Sequence, residues 1–303
     1  MHYLCVFGNP IAHSLSPFLH NAILQAYNLP YLYGRFMLDS TQDLGRAFAR
    51  LGLCGANITL PFKEHACQIA HSLSPLAKHI GAVNTLVRDQ SDQLIGYNTD
   101  APGFVMSLLL EGFTLGQEKS INGIEMQQLA PLIHQKGKEY GKESIESALI
   151  LGAGGSAKAI ACALQQCGIR TLVANRSSKH EAFFTQRQIP YCTFDELDCK
   201  NVDSSGRFDL LINATSSSIS HALPLPESTL RPLLTQAKLA YDLMYGAPSP
   251  FIRLSQQCHT RHKDGADMLI LQAISALRLF CPQLENTPRI YAIMRGIFPT
   301  LSA

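Results

Sequence analysis

The sequence has no run of eighteen consecutive apolar residues, which is about the length that a membrane-spanning helix needs. Its first residues, MHYLCVFGNP, also lack the basic segment followed by an apolar run that marks a signal peptide. We therefore expect neither a membrane span nor a signal peptide. The nine cysteines include no CxxC pair, which argues against a zinc site or a disulfide framework. Reduced thiols favour the cytoplasm.

An excess of charge of one sign is also absent, since 25 basic and 23 acidic residues give a net charge of only +2. Nucleic acids and anionic membranes are usually bound through a strongly basic face. We expect neither as a partner, whereas a small anionic ligand is compatible with this balance. The eleven histidines are interpreted as solvated or capping residues, and no metal site is expected.

The residues that are present describe a globular protein. The hydrophobic share is 46% of 303 residues, and the chain is long enough for two domains. Short apolar segments such as YLCVF and GANIT alternate with helical stripes, one of them containing Leu19 and Ile23. This alternation predicts an α/β fold with mostly parallel sheets. The segments AVNTLVR and QLIGYNT predict a hairpin that closes the first unit near residue 100.

A second strand and helix series begins at ALIL and continues through TLVANRSS, FDLLINATS and KLAYDLMY. Between the two series, the stretch from 111 to 147 has mixed charge and one weak helical stripe through Met126, Leu129, Leu132 and Ile133. We interpret this stretch as a linker with an insertion that forms a surface excursion outside the chemistry.

A glycine loop opens the second series. In LILGAGGSAKA an apolar strand leads directly into Gly152, Gly154 and Gly155, with Ala157 at the last position of the dinucleotide fingerprint. Such glycines let main-chain N–H groups approach a pyrophosphate at the start of the following helix. The alternative is a turn that only links the strand to the helix.

The end of the next strand carries Asn175, Arg176 and Ser177, where NAD-binding folds commonly place an acidic residue on the ribose. A guanidinium suits a 2′-phosphate because it makes charge-assisted and often bidentate contacts with phosphate oxygens. The sequence therefore predicts NADP rather than NAD. The alternative is that Arg176 is a solvated surface cation.

Three junctions between a strand and a helix carry polar side chains. In GNPIAHSLSP, Ser16 is predicted to be the N-cap and Pro17 the first helical residue, with Ser14 nearby. Two hydroxyls at a positive helix end can hold a carboxylate, although Ser16 can also act as a cap alone.

The other two junctions are NITLPFKE, with Lys63 in the first helical turn, and GYNTDAPG, with Asp100 at a helix start. A lysine there is either solvated or tuned for proton transfer by the helix dipole. Asp100 is either a cap or a buried carboxylate. Because all three junctions follow strand ends, their side chains are expected to converge in the crevice that open α/β sheets use for ligands.

The motifs GNPIAHSLSPFLHNA, GANITLPFKE, GAVNTL, GYNTDAPG, LILGAGGSA, NRS, INATS, YDLMY and DGADMLILQA together resemble the shikimate dehydrogenase family over nearly the whole chain. The resemblance implies NADP-dependent reduction of 3-dehydroshikimate to shikimate in aromatic amino acid and chorismate biosynthesis. It implies a discontinuous substrate domain, residues 1–103 plus 266–303, with C-terminal helices that return to it. Residues 104–265 would form a Rossmann-type NADP domain with an insertion near 114–147. A monomer or a homodimer is expected.

The resemblance also implies roles for single residues. Lys63 and Asp100 match the catalytic pair, and Ser14 and Ser16 match residues that bind the substrate carboxylate. The remaining substrate contacts would be Thr59, Asn84, Tyr245 and Gln272. The NADP contacts would be Gly152, Ala153, Gly154, Gly155, Ser156, Asn175, Arg176, Ser177, Lys179, Leu243 and Gly265.

Two departures from the family pattern concern the cofactor. NRSSKH replaces NRTxxR, so that Lys179 stands in for an arginine one residue early. Gly265-Ala266-Asp267 replaces a glycine-rich loop, and Asp267 would repel a phosphate unless it points away from the dinucleotide. Two alternative functions stay open. One is a quinate/shikimate dehydrogenase that uses NAD or NADP, and the other is a non-catalytic sensor that binds shikimate-like ligands.

Overall fold

The computed structural model describes residues 1–40, 43–116, 124–134, 143–197, 207–218, 220–246 and 248–302. Strands and helices alternate through the first hundred residues. In chain order they are β1 (His2–Gly8), α1 (Ser16–Ala26), β2 (Tyr31–Met37), α2 (Leu44–Arg50), β3 (Leu53–Ile58), α3 (Lys63–Ile69), β4 (Ser72–Leu73), α4 (Pro75–Ile80), β5 (Thr85–Arg88), β6 (Leu94–Tyr97) and α5 (Asp100–Leu110).

The alternation continues after the intervening stretch. The elements are β7 (Phe113–Leu115), α6 (Ile124–Gln127), α7 (Pro131–His134), β8 (Glu143–Ile145), β9 (Ser147–Leu151), α8 (Gly155–Gln166), β10 (Arg170–Asn175), α9 (Glu181–Thr185), β11 (Tyr191–Thr193), α10 (Phe194–Leu197), β12 (Leu210–Asn213), α11 (Glu227–Gln236), β13 (Leu239–Asp242), α12 (Pro250–Gln257), β14 (His262–Lys263), α13 (Ala266–Phe280) and α14 (Thr287–Ser302).

The chain divides into two compact units. Unit 1 comprises Met1–Met106, Asn122–Gly137 and Leu269–Leu301, and unit 2 comprises Ser107–Ile121, Lys138–Met268 and Ser302–Ala303. The predicted α/β class with two sheet domains and returning C-terminal helices is confirmed. Domain boundaries after residues 103 and 265 stay a prediction from the resemblance, and the two compact units meet after Met106 and after Met268.

Unit 1 is built on a six-stranded sheet with the order β2-β1-β3-β5-β6-β4. Strands β1, β2 and β3 are parallel, and the predicted hairpin is present because β5 runs antiparallel to both β3 and β6. Because β5 is antiparallel to β3 and β6 is antiparallel to β5, β6 runs in the same direction as β1 and β3. The hydrophobic core of unit 1 contains the aromatic side chains of Phe7, Phe48 and Phe62.

Unit 2 is built on a second six-stranded sheet with the order β11-β10-β9-β12-β13-β14, in which every pairing is parallel. Its central strand β9 is buried along its whole length, which explains its continuous apolar sequence. Leu149, Leu211 and Phe251 belong to the core that packs against this sheet. Strands β7 and β8 form a separate parallel pair in this unit.

The predicted insertion differs from expectation where it is described, while its residues 117–123 and 135–142 lie outside the described part of the chain. Leu129 and Glu125 are 0% and 1% exposed, so this stretch is not a surface excursion. Ser74 Oγ donates to Glu125 Oε1 at 2.8 Å, and Ser275 Oγ donates to the main-chain oxygen of Glu125 at 3.0 Å. These contacts join the segment to unit 1, to which Asn122–Gly137 belongs.

No helix among the described residues is long and apolar enough to cross a membrane.

Candidate active site

One edge of the unit 1 sheet collects most of the residues predicted to bind substrate. Strands β1, β3 and β6 run in one direction, so their carboxyl ends reach the same edge. Each of these ends leads into a loop and then a helix, α1, α3 or α5. Strand β5 runs in the opposite direction, so Asn84, which precedes it, also lies at this edge.

Lys63 and Asp100 form an ion pair at this edge. Lys63 Nζ donates to Asp100 Oδ2 at 2.5 Å, and the two residues are only 8% and 6% exposed. Lys63 occupies the first turn of α3, as predicted, where the helix dipole disfavours a cation. The Asp100 carboxylate compensates for that effect and holds the ammonium group in one place.

Asp100 is held from its other side as well. Asn84 Nδ2 donates to Asp100 Oδ1 at 2.8 Å, while Oδ2 accepts from Lys63. Asp100 is the first residue of α5, and the capping contact comes from Asn98 Oδ1, which accepts from the main-chain N–H of Ala101. Asp100 is therefore a buried carboxylate, and capping does not explain its presence.

The first junction differs from the sequence prediction by one residue. Helix α1 begins at Ser16, so Leu15 is its N-cap and Ser16 is the first helical residue. No side chain caps this helix at its N-cap position, and Ser14 Oγ accepts from the main-chain N–H of Ser16 at 3.4 Å among the described residues. Within the described residues no hydrogen bond uses the Ser16 hydroxyl. This hydroxyl is free to face a ligand at the positive end of the helix.

Two further predicted residues belong to unit 1. Thr59 directly follows β3, and its main-chain N–H donates to the main-chain oxygen of Phe7 in β1. Gln272 lies on α13, and its Nε2 donates to the main-chain oxygen of Leu269, which leaves its carbonyl oxygen without a partner among the described residues. Tyr245 belongs to unit 2, and burial raises the pKa of its phenol.

The glycine loop of unit 2 has the geometry that the fingerprint requires. Gly152 follows β9 with a φ of +106°, a conformation that side chains with a Cβ rarely adopt. A Cβ there would also lie 3.0 Å from the main chain of Ala214. Gly154 is exposed and caps α8, a helix of 12 residues that begins at Gly155. The loop thus places two residues without side chains, Gly154 and Gly155, at the helix N-terminus.

Cationic side chains lie beyond the neighbouring strand. Strand β10 is parallel to β9 and ends at Asn175, so Arg176, Ser177 and Lys179 follow at the same sheet edge as the glycine loop. All three are exposed, and Arg176 and Lys179 form no ion pair with any described residue. Uncompensated cations at this place are suited to a phosphate.

The main chain of Leu243 leaves no room for a side chain at position 265. A Cβ at this position would lie 2.1 Å from the main-chain oxygen of Leu243, too close for any side chain. The Gly265 N–H donates to the main-chain oxygen of Met244 at 2.9 Å. The segments that contain Leu243 and Gly265 are thereby fixed against each other at the ends of β13 and β14.

Asp267 does not place a free negative charge beside Gly265. It is 6% exposed, and its Oδ2 accepts a short hydrogen bond from Lys263 Nζ, which also donates to Glu111 Oε1 at 2.5 Å. Burial acts to raise the pKa of Glu111, but Lys263 and Arg261 outweigh it and hold that pKa below its ordinary value. The expected repulsion of a phosphate by Asp267 is therefore offset by Lys263.

Sequence reasoning missed two sets of buried polar residues. Asp242 is 0% exposed and accepts from the hydroxyls of Ser218 and Ser249 at 2.7 and 2.5 Å, which fixes the end of β13. Asn57 and Thr85 lie behind Asn84 in the middle of the unit 1 sheet. For Asn57, the signal in the sequence is a polar residue within the otherwise apolar strand β3.

No group of three histidine, cysteine, aspartate or glutamate residues that could hold a metal ion occurs in the described part of the chain.

Comparisons with known proteins agree with one another. Residues 6–86 match the family model of the shikimate dehydrogenase substrate binding domain. The chain is 40% identical to a shikimate dehydrogenase (NADP(+)) of Helicobacter pylori over 97% of both proteins. It is 36% identical to the enzyme of the same name from Dechloromonas aromatica (strain RCB), over 96% of this chain and 97% of that one.

A solved structure is similar over the same extent. It is the shikimate 5-dehydrogenase from Thermus thermophilus in complex with NADP(H) and shikimate, with a TM-score of 0.75 and 28% identity. The similarity covers 98% of this chain and 99% of that chain. The likeness therefore includes both units and not the substrate domain alone.

Proposed function

The chain belongs to the shikimate dehydrogenase family, and on that premise we infer that it catalyses the NADP-dependent, reversible reduction of 3-dehydroshikimate to shikimate. This reaction makes it an oxidoreductase of the shikimate pathway, which leads to chorismate and the aromatic amino acids. The observation that carries the inference is the buried pair of Lys63 and Asp100, which meet at 2.5 Å at the ligand edge of the sheet.

Lys63 and Asp100 are proposed as the catalytic pair. During reduction, negative charge develops on the carbonyl oxygen of the substrate, and a positioned acid stabilises it. Lys63 Nζ donates the proton to that oxygen and takes it back in the oxidation direction. Asp100 orients Lys63 through Oδ2, and Asn84 holds Oδ1 so that the carboxylate cannot rotate.

The neighbouring residues are proposed to bind substrate. The Ser16 hydroxyl and Ser14 lie at the N-terminus of α1, where a carboxylate is favoured by the helix dipole. Thr59, Asn84, Tyr245 and Gln272 would contact the carboxylate, the ring hydroxyls or the catalytic pair. The free carbonyl oxygen of Gln272 suits a hydroxyl group, which can donate to it.

The residues of unit 2 fit NADP. The Gly152–Ser156 loop and the start of α8 would hold the pyrophosphate, and Asn175, Arg176, Ser177 and Lys179 would hold the adenosine 2′-phosphate. Leu243 and Gly265, fixed against each other, would lie by the nicotinamide. When bound, the reduced cofactor supplies the hydride that reaches the substrate carbonyl carbon.

The division of labour between the units follows from these assignments. We propose that unit 1 binds substrate, which the match of residues 6–86 to a substrate binding domain supports, and that unit 2 binds NADP. Location in the cytoplasm and assembly as a monomer or a homodimer stay predictions from the sequence.

Oxidation of shikimate with NADP, followed by absorbance at 340 nm, tests the function. Lys63→Ala should lower kcat by about 10² to 10⁴, the usual contribution of one general acid. Lys78→Ala, at an exposed position on α4, is the matched control and should leave kcat unchanged. More than about a tenth of the parent turnover in Lys63→Ala would contradict the assignment of the pair.

The same assay with quinate and NAD separates the two enzymatic alternatives. We expect little turnover with quinate and little with NAD. The reason for the second expectation is that NAD lacks the 2′-phosphate that Arg176 would bind. Comparable rates with both pairs of reactants would instead assign the broader quinate/shikimate activity. Tight binding of shikimate without any turnover would identify a sensor.

A further inference from the structure

A chain of buried side chains runs behind the catalytic pair. It begins at Tyr33 in β2, continues through Asn57 in β3 and Thr85 in β5, and reaches Asn84, which holds Asp100. Every member of this chain up to Asn84 is at most 5% exposed. Water therefore cannot replace one of its hydrogen bonds at low cost.

Thr85 joins the interior part of this chain to Asn84. It is 0% exposed and lies opposite Asn57 in the register of β3 and β5. Its Oγ1 accepts from Asn57 Nδ2 at 3.0 Å and donates to Asn84 Oδ1 at 3.0 Å. A threonine hydroxyl has a single hydrogen, so Thr85 can donate to only one partner.

The direction of these hydrogen bonds is fixed by the main chain. Asn57 Nδ2 lies 3.3 Å from the main-chain oxygen of Asn84, which can only accept. The amide group of Asn57 therefore cannot flip, and its Oδ1 accepts from Tyr33 Oη at 2.7 Å. Since Asn57 donates to Thr85, the hydrogen of the Thr85 hydroxyl points to Asn84.

The orientation of Asn84 follows from the same contacts. Its Oδ1 accepts from Thr85 and from the main-chain N–H of Thr99 at 2.8 Å, so its Nδ2 faces Asp100 Oδ1. With Oδ1 occupied by Asn84, Asp100 presents Oδ2 to Lys63. The far end of the chain is also fixed, because the ring of His20 stacks on Tyr33 with centroids 4.1 Å apart.

We propose that Thr85 is a positioning residue for the reaction: together with the main-chain N–H of Thr99, its hydroxyl holds the amide group of Asn84 in place, and through it the carboxylate that orients Lys63. The inference rests on the proposed function of Lys63 and Asp100. The alternative is a purely structural role, in which Thr85 is present because β-branched residues are favourable in strands. Valine has nearly the same shape, so Thr85→Val separates the hydroxyl from the shape.

The experiment compares Thr85→Val, Thr85→Ser and Thr171→Val in the full chain. Thr171 is the matched control because it is a buried strand threonine whose hydroxyl donates only to the main-chain oxygen of Ile169. For each protein, kcat and KM are measured with shikimate and NADP, and folding is checked by urea unfolding. Thr85→Ala replaces the valine variant if that variant does not fold.

Thr85→Val should lower kcat about two- to tenfold, which corresponds to one neutral hydrogen bond, and should leave KM for NADP unchanged. Thr85→Ser keeps the hydroxyl and should recover kcat to within about twofold, and Thr171→Val should match the parent in kcat. A folded Thr85→Val with the parent kcat, or a serine variant as impaired as the valine variant, would overturn the role of the hydroxyl. A parent chain that does not oxidise shikimate would overturn the proposed function itself.

Discussion

His20 is expected to make the stability of the protein sensitive to mild acid. It lies in α1 and is 0% exposed, and neither ring nitrogen has a hydrogen-bond partner in the described part of the protein. Burial lowers the pKa of His20 from 6.5 to about 3. The folded protein therefore keeps this ring neutral at pH values at which the unfolded chain protonates it. His20→Phe retains a flat ring for stacking on Tyr33 and removes the titrating group.

The size of the effect follows from the two pKa values. Below pH 6.5 the unfolded chain binds a proton that the folded chain does not bind until about pH 3, so the stability present above pH 6.5 is lost as the pH falls. At pH 5 the unfolded side chain lies 1.5 pH units below its pKa, which favours the unfolded state by about 2 kcal/mol. His20→Phe should lack this loss.

Urea unfolding at pH 8 and at pH 5 measures the difference. The parent should lose about 2 kcal/mol more of its free energy of unfolding between these pH values than His20→Phe does. The matched control, His2→Phe, changes an exposed histidine and should lose as much as the parent. If the parent and His20→Phe lose equal amounts, His20 is not buried as a neutral ring and the reasoning is wrong.

Two further predictions concern unit 2 and the segment with α6 and α7. Arg176→Ala should raise KM for NADP about ten- to a hundredfold through the loss of one charge-assisted contact, and should barely change KM for NAD. Arg253→Ala, an exposed arginine on α12, is its control in steady-state kinetics, and equal shifts for both cofactors would contradict a role in phosphate binding. Leu129→Ala should lower the free energy of unfolding by about 2 to 5 kcal/mol because Leu129 is 0% exposed. A change in the free energy of unfolding of less than about 0.5 kcal/mol, which is typical of surface substitutions, would show that the segment lies at the surface.

The order of strands and helices could be read from the sequence because local patterns decide it. Apolar runs such as YLCVF and ALIL are too short for core helices and coincide with β1 and β9. Strand direction then determines that Lys63, Asp100 and Ser16 lie at one edge, and the glycine loop needs only Gly152 and its neighbours to be recognised. The site could be proposed from the sequence because its polar residues directly follow the ends of recognisable strands.

Local patterns failed where packing between distant segments decides the outcome. The stripe through Met126, Leu129, Leu132 and Ile133 predicts one helix, but the structure has two short helices, α6 and α7, with Leu129 in the turn between them. Its mixed charge suggested a surface, whereas Glu125 contacts Ser74 and Ser275 and Leu129 is buried. The N-cap prediction was wrong by one residue because α1 begins at Ser16 rather than at Pro17, and residue types locate a helix end only to within one or two residues.

The sequence by itself determined the two α/β units, the strand ends that carry polar residues, and the chemical types gathered there. Only the tertiary structure decided which polar groups meet. Asn57 bonds Thr85 across 28 residues, and Lys263 bonds Glu111 across 152. Periodicity records which side of a strand or helix is buried, whereas a hydrogen bond needs two atoms about 3 Å apart in a defined direction. That distance is fixed only when the segments pack against each other.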